Sequence, residues 1–159
     1  MDQFTRRIIG FGVHAGDVDG IALCRMFIKA ISGIAIPMHL STDHNQLFEY
    51  HRWKANLRIL DVEEIKTVPH PPISHPFVER LIGTLRRELL DHALFWNARD
   101  LETRLEKFRD FYNGHRVHAS LGGDTPMEFS WEVVINKTDL YRFRWDTYCR
   151  GLFQLQLAA

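Results

Sequence analysis

The chain has almost no cysteine. Cys24 and Cys149 are its two thiols in 159 residues, and no CxxC pair occurs. That excludes a disulfide framework and zinc-ribbon spacing, and it fits two reduced thiols in a cytoplasmic protein. No apolar run reaches the roughly 18 residues that a membrane-spanning helix needs. The N-terminus shows no apolar stretch of secretory type, which also points to the cytoplasm. Net charge is absent: 20 Lys plus Arg balance 20 Asp plus Glu. A nucleic-acid surface would therefore have to come from local segregation of Arg and His. There is no internal repeat and no low-complexity run. What remains, 45% hydrophobic and 25% charged residues, suits one globular domain with a sizeable core.

Strand and helix signals alternate along the chain, which argues an α/β fold. Residues 5–16, with Ile8-Ile9-Gly10-Phe11-Gly12-Val13, are β-formers broken by glycines and predict one or two short strands. Asp17 and Asp19 precede a helical period through Ile21, Leu23, Phe27 and Ile31, ended by Ser32-Gly33. Both acids read as helix N-caps rather than metal ligands, because orphan N–H groups and the macrodipole favour Asp there. Ser41-Thr42-Asp43 reads as a strand end that presents its acid, residues 47–57 as a short helix and 64–68 as a strand. Four prolines in 69–76 remove backbone donors and predict a loop. His70 and His75 lie in it with no second ligand pair nearby for zinc.

Asn97 and Asp100 open a helix that carries Leu101, Leu105, Phe108 and Tyr112 on one stripe and stops at Gly114. Thr125-Pro126-Met127-Glu128 has the pattern of a capping box. Arg116 and His118 between these two read as loop packing ahead of DNA contact. Tyr141, Phe143 and Trp145 alternate with Arg142 and Arg144, the period of a strand with an aromatic face. Covering the core is the preferred reading of that face, with base stacking as the other.

Three acids stand out by their surroundings. Asp2 opens Asp2-Gln3-Phe4-Thr5-Arg6-Arg7-Ile8-Ile9-Gly10, Asp43 sits in Ser41-Thr42-Asp43-His44, and Glu79 follows after a gap of 35 residues in Pro76-Phe77-Val78-Glu79-Arg80. Tyr112-Asn113 with Arg116, His118, Leu121 and Thr125-Pro126 completes the set. Together these words resemble the retroviral-integrase and transposase superfamily, and within it the integrase catalytic core of bacterial insertion-sequence transposases, over residues 2 to about 130. The resemblance implies an RNase H-like mixed sheet flanked by helices. It also implies Asp2, Asp43 and Glu79 as catalytic metal ligands for Mg²⁺, with Mn²⁺ as a substitute. Carboxylate oxygens suit such ions, and paired metals suit strand transfer at a phosphodiester. The implied partners are DNA, both transposon ends and target, and either further copies of the chain or full-length transposase; no membrane is involved. His44 reads as local structure or as support for the site.

On a helical wheel Val78, Leu81, Ile82, Leu85 and Leu89 share a stripe roughly 100° wide that should face the core. Glu79 flanks the stripe, and Arg86 lies on nearly the same line roughly 10 Å further along. Gly83 stands between them and should leave that surface bare. The resemblance assigns DNA contact to basic residues after the catalytic Glu, so Arg86 is the main candidate, with Arg80 and Arg87 on the same helix.

In the family the first acid lies on the central strand of the sheet, and here only Met1 precedes Asp2. An N-terminally truncated core with its first strand largely missing is therefore expected, comprising residues 1–130 with a C-terminal tail over 131–159. A frayed Asp2 would make such a chain a poor enzyme. An inactive transposase remnant that only binds DNA or other transposase chains is the alternative function. An RNase H-like nuclease is the third, against which the Tyr112 to Pro126 pattern weighs.

Overall fold

The computed structural model describes residues 1–34, 36–67 and 76–130, and the backbone of two later strands, Phe143–Tyr148 and Phe153–Ala158. Most of the expected proline loop, including His70 and His75, lies outside the described residues. Two compact units are present: Gly10–Glu79, and Met1–Ile9 together with Arg80–Ala159. No helix among the described residues is long and apolar enough to cross a membrane.

In the Gly10–Glu79 unit, α1 spans Gly20–Ile31. It starts where Asp19 caps it: Asp19 Oδ1 accepts from the N–H groups of Ile21 at 3.1 Å and Ala22 at 2.7 Å. These bonds hold the Asp19 carboxyl below its ordinary range, the one from Ala22 most strongly. The N-cap reading of Asp19 is thus the observed one. The segment before α1 passes so close that a Cβ on Gly10 would lie 2.7 Å from the Ala30 carbonyl oxygen, so only glycine fits there.

Strand β1 (His39–Thr42) pairs in parallel with β2 (Glu63–Lys66), His39 opposite Glu63 and Thr42 opposite Lys66. Parallel neighbours need a crossover. It is supplied by a 3₁₀ turn, Gln46–Glu49, and by α2, His51–Ile59. The core of this unit is Trp53, Leu57 and Val62, packed by Leu23, Phe27, Leu40 and Phe48. Phe27 meets the Trp53 ring edge-on at 5.2 Å.

Residues 5–16, read from the sequence as one or two short strands, form none, in the Gly10–Glu79 unit from Gly10 onward and in the other unit over residues 5–9. Among the described residues the polar groups of Ile8 are instead satisfied by a side chain: Asn113 accepts from its N–H and donates to its C=O. Helix α3, Pro76–Leu85, starts in the last residues of the Gly10–Glu79 unit, and from Arg80 it belongs to the other, carrying on into a π-turn over Arg86–Leu90. Its buried residues are Leu81, Thr84 and Leu89. Ile82, expected inside, is 47% exposed. The buried line is therefore rotated toward Thr84, a shift that apolar counting alone does not reveal.

Helix α4, Ala98–Gly114, begins at Asn97, whose Oδ1 accepts from Asp100 N–H at 2.9 Å. Its stripe of Leu105, Phe108 and Tyr112 is buried as the sequence indicates. The capping box at α5, Pro126–Ser130, is present in both directions: Thr125 N–H donates to Glu128 Oε2 at 2.8 Å, and Glu128 N–H donates to Thr125 Oγ1 at 3.2 Å. The bond from the Thr125 N–H keeps the Glu128 carboxyl below its usual range. Strands β3 (Phe143–Tyr148) and β4 (Phe153–Ala158) make an antiparallel pair. The expected aromatic strand is therefore present from Phe143 onward, while Tyr141, Arg142 and the facing of its side chains lie outside the described residues.

Candidate metal and nucleic-acid site

Asp43 immediately follows β1, at the carboxyl end of a parallel pair, where open α/β sheets habitually place their ligands. Its surroundings are built to hold it. Thr42, buried before it, donates from Oγ1 to Glu64 Oε1 at 2.7 Å. The same Glu64 oxygen accepts from Trp53 Nε1 at 3.3 Å and pairs with Lys66 Nζ at 3.3 Å. After it, His44 Nε2 donates to the Thr67 carbonyl oxygen at 2.6 Å, while Thr67 N–H donates to the Thr42 carbonyl at 3.0 Å. Asp43 Oδ1 itself accepts from Asn45 N–H at 2.9 Å. The loop is therefore tied to β2 on both sides of the acid, and the acid is exposed. The nearby Glu49 is committed elsewhere. Lys54 at 2.5 Å and Lys66 at 3.0 Å, the former contributing more, pull its carboxyl down to about 2.

Glu79 is exposed in the first turn of α3. Further along that helix and its π-turn stand Arg80, Arg86 and Arg87, all exposed, and among the described residues none of them has an ion-pair partner. Glu88, the carboxylate beside them in sequence, is taken: Arg116 donates to it from Nη2 at 2.8 Å and from Nε at 3.2 Å. That fork raises the Arg116 guanidinium above its ordinary value. In a chain of zero net charge, three exposed arginines thus stand on α3 and its π-turn. The surface of Gly83 is not bare, as the wheel suggested, because the Arg87 guanidinium lies over it.

Asp2 is differently engaged. Its Oδ1 accepts from Phe4 N–H at 2.7 Å and Thr5 N–H at 3.0 Å, and its own N–H donates to the Arg7 carbonyl at 2.8 Å. This is an Asx-type turn, the local bonding that Asp favours. Among the described residues its Oδ2 has no such bond. Among the described residues no three Asp, Glu, His or Cys side chains stand close enough together to hold a metal ion. By donor chemistry the three acids suit Mg²⁺, which takes carboxylate oxygens and keeps several waters.

Arg116 and His118 pack as the sequence suggested. Arg116 lies over the Tyr112 ring at 5.5 Å, and His118 meets that ring edge-on at 4.8 Å. Burial, then the nearby Arg116 charge, lower the His118 imidazole from its ordinary value. Sequence reasoning missed the Glu64 hub beneath Asp43 and the Asn113 clamp. A Glu alternating with a Lys on a short strand after a Trp helix was the available sign of the first. Nothing local marked the second, which joins residues 105 apart.

Residues 60–126 match the family model described as the integrase core domain. Over 130 residues the chain is 25% identical to the insertion element IS476 uncharacterized 39.2 kDa protein of Xanthomonas euvesicatoria, covering 82% of this chain and 37% of that protein. Over 133 residues it is 24% identical to the transposase for insertion sequence element IS904 of Lactococcus lactis, covering 81% and 52%. The chain thus spans about half or less of the curated relatives it matches. Among solved structures, the catalytic core domain of BIV integrase aligns with a TM-score of 0.55 at 21% identity over 72% of each chain. The HTLV-2 integrase catalytic core domain, in complex with magnesium and in dimeric form, aligns with a TM-score of 0.53 at 19% identity over 72% of this chain and 71% of that one. At such identities the structural likeness speaks for the fold, which is the RNase H-like fold of integrase catalytic cores. The chain is thus similar to the integrase core domain over residues 60–126 and to insertion-sequence proteins over about four-fifths of its length.

Proposed function

We propose that this chain is a DNA-processing core that cleaves and joins DNA strands during transposition. The observation that carries the reading is helix α3. In a chain with no net charge, its exposed side holds an acid, Glu79, followed by arginines that have no ion-pair partner among the described residues. Such arginines match phosphate oxygens in planar forks. The relatives' names and the solved integrase cores support the same reading.

In it, Asp43 and Glu79 supply carboxylate oxygens to divalent metal, and Asp2 adds the oxygen that its turn leaves over. Bound Mg²⁺ would stabilise the attacking and leaving oxygens of a phosphodiester. The chain's own residues do the positioning. The Thr42–Glu64 and His44–Thr67 bonds hold the Asp43 loop to β2, which is the rigid support that a catalytic acid needs. Arg80, Arg86 and Arg87 hold the DNA backbone beside Glu79. Further copies of this chain, or full-length transposase, are the proposed protein partners.

A second reading is favoured by Asp2. Its Oδ1 already serves its own turn, so the chain would bind DNA or other transposase chains without cutting. One assay separates the two. Labelled duplex is incubated with the chain and Mg²⁺, and both binding and nicking are followed. The first reading expects Mg²⁺-dependent nicking that Asp43→Asn and Glu79→Gln each abolish. Binding without nicking supports the second. Nicking that survives both substitutions sinks the proposed site.

A further inference from the structure

Gly83 is an expensive residue with no evident packing reason. It sits inside α3, four residues after Glu79 and four before Arg87. Glycine in a helix interior is less favourable than alanine. At close-packed positions a glycine admits a neighbouring backbone, as Gly10 does with Ala30. Gly83 does not. A Cβ there would meet only the far end of Arg87, its Nη1 at 3.2 Å and its Cζ at 4.0 Å. What the missing side chain provides is a place for a guanidinium to lie against the helix. Long helical side chains lean toward the N-terminus and cover the turn before their own Cα. Arg87 does so here, and its sequence neighbour Glu88 is occupied by Arg116.

We infer that Gly83 is a seat for Arg87, holding its guanidinium roughly 6 Å back along α3 toward Glu79 as a preset contact for one phosphate of a DNA backbone. This rests on the DNA-processing reading above. It changes which arginine matters: Arg87, rather than Arg86, stands on the turn that follows the acid. A guanidinium already lying in place loses less freedom when a phosphate docks than one swinging in solvent. The planar fork also gives the phosphate a fixed orientation. Gly83 is in these terms a positioning residue, acting only through Arg87.

The test uses the full chain, a labelled duplex oligonucleotide and affinity measured across a salt series, with helical circular dichroism as a check on folding. Each phosphate contact contributes about 0.9 to the slope of log affinity against log salt. Arg87→Ala is expected to flatten the slope by about one. Gly83→Leu removes no charge and raises helix propensity, yet it fills the seat, so it should flatten the slope by the same amount. A merely structural glycine would not produce that result. Gly83→Lys combined with Arg87→Ala puts a cation back on the same turn and should restore the slope. If Arg87→Ala flattens the slope but Gly83→Leu leaves it unchanged, the seat is refuted and the DNA reading stands. An unchanged slope in Arg87→Ala overturns the inference outright. A parent chain that binds no duplex overturns the inference and the DNA-processing reading together.

Discussion

Asn113 acts as a strand partner for Ile8. Its Oδ1 accepts from the Ile8 N–H at 2.8 Å, and its Nδ2 donates to the Ile8 carbonyl at 2.9 Å, a bidentate bond between residues 105 apart. Ile8 is only 2% exposed, so no solvent replaces those bonds. Asn113→Ala would orphan a buried donor and a buried acceptor, each costing about 1–3 kcal/mol. The expected loss is about 2–4 kcal/mol in denaturant unfolding. Asn113→Asp keeps the acceptor only and should fall between. A loss below about 0.5 kcal/mol would mean that the N-terminal segment is not anchored through this side chain.

The fork from Arg116 to Glu88 holds the π-turn that follows α3. Lysine is a point donor and cannot reproduce a fork. Arg116→Lys should therefore cost about 1 kcal/mol of stability, a modest figure because both side chains are 29% exposed. It should also release Glu88 to compete for Arg86 and Arg87, weakening duplex binding several-fold at low salt. Unchanged binding in a folded Arg116→Lys chain would separate the fork from the proposed DNA surface.

His118 gives a pH signature. Its folded value lies below the ordinary 6.5 because burial, and then Arg116, disfavour the imidazolium, while Glu88 offsets this in part and Arg6 adds to it. Between the folded and unfolded values the unfolded chain binds more protons, so stability rises with pH there. The contribution is complete above about 6.5 and is lost as pH falls from 6.5 toward the folded value. His118→Gln should remove that part of the acid-side decline in unfolding free energy. An identical pH profile in the variant would place the decline at other groups.

The α/β class, the N-cap at Asp19, the stripe of α4 and the capping box at Thr125 were legible because each is written in neighbouring residues. The acids were noticed through their flanking words, and Asp43 does end a strand. What was not legible depended on distant partners. Residues 5–16 read as strand, but at Ile8 a side chain from α4 takes the place of a neighbouring strand. The wheel put Ile82 inside, whereas the unit buries Thr84. The same wheel could not foresee that Arg87 folds back over Gly83, since apolar periodicity says nothing about long polar side chains.

In the proposed function Asp43 and Glu79 hold divalent metal, with Asp2 as a third ligand. Mn²⁺ binding followed by electron paramagnetic resonance, with Mg²⁺ as competitor and DNA absent, tests it without relying on turnover. The account expects saturable Mn²⁺ binding that Mg²⁺ displaces, weakened at least about tenfold, or about 1.4 kcal/mol, by Asp43→Asn and by Glu79→Gln. It expects a smaller loss for Asp2→Asn, in which the amide keeps the turn bonds to Phe4 and Thr5. Mn²⁺ affinity that is the same in the parent, Asp43→Asn and Glu79→Gln would contradict it.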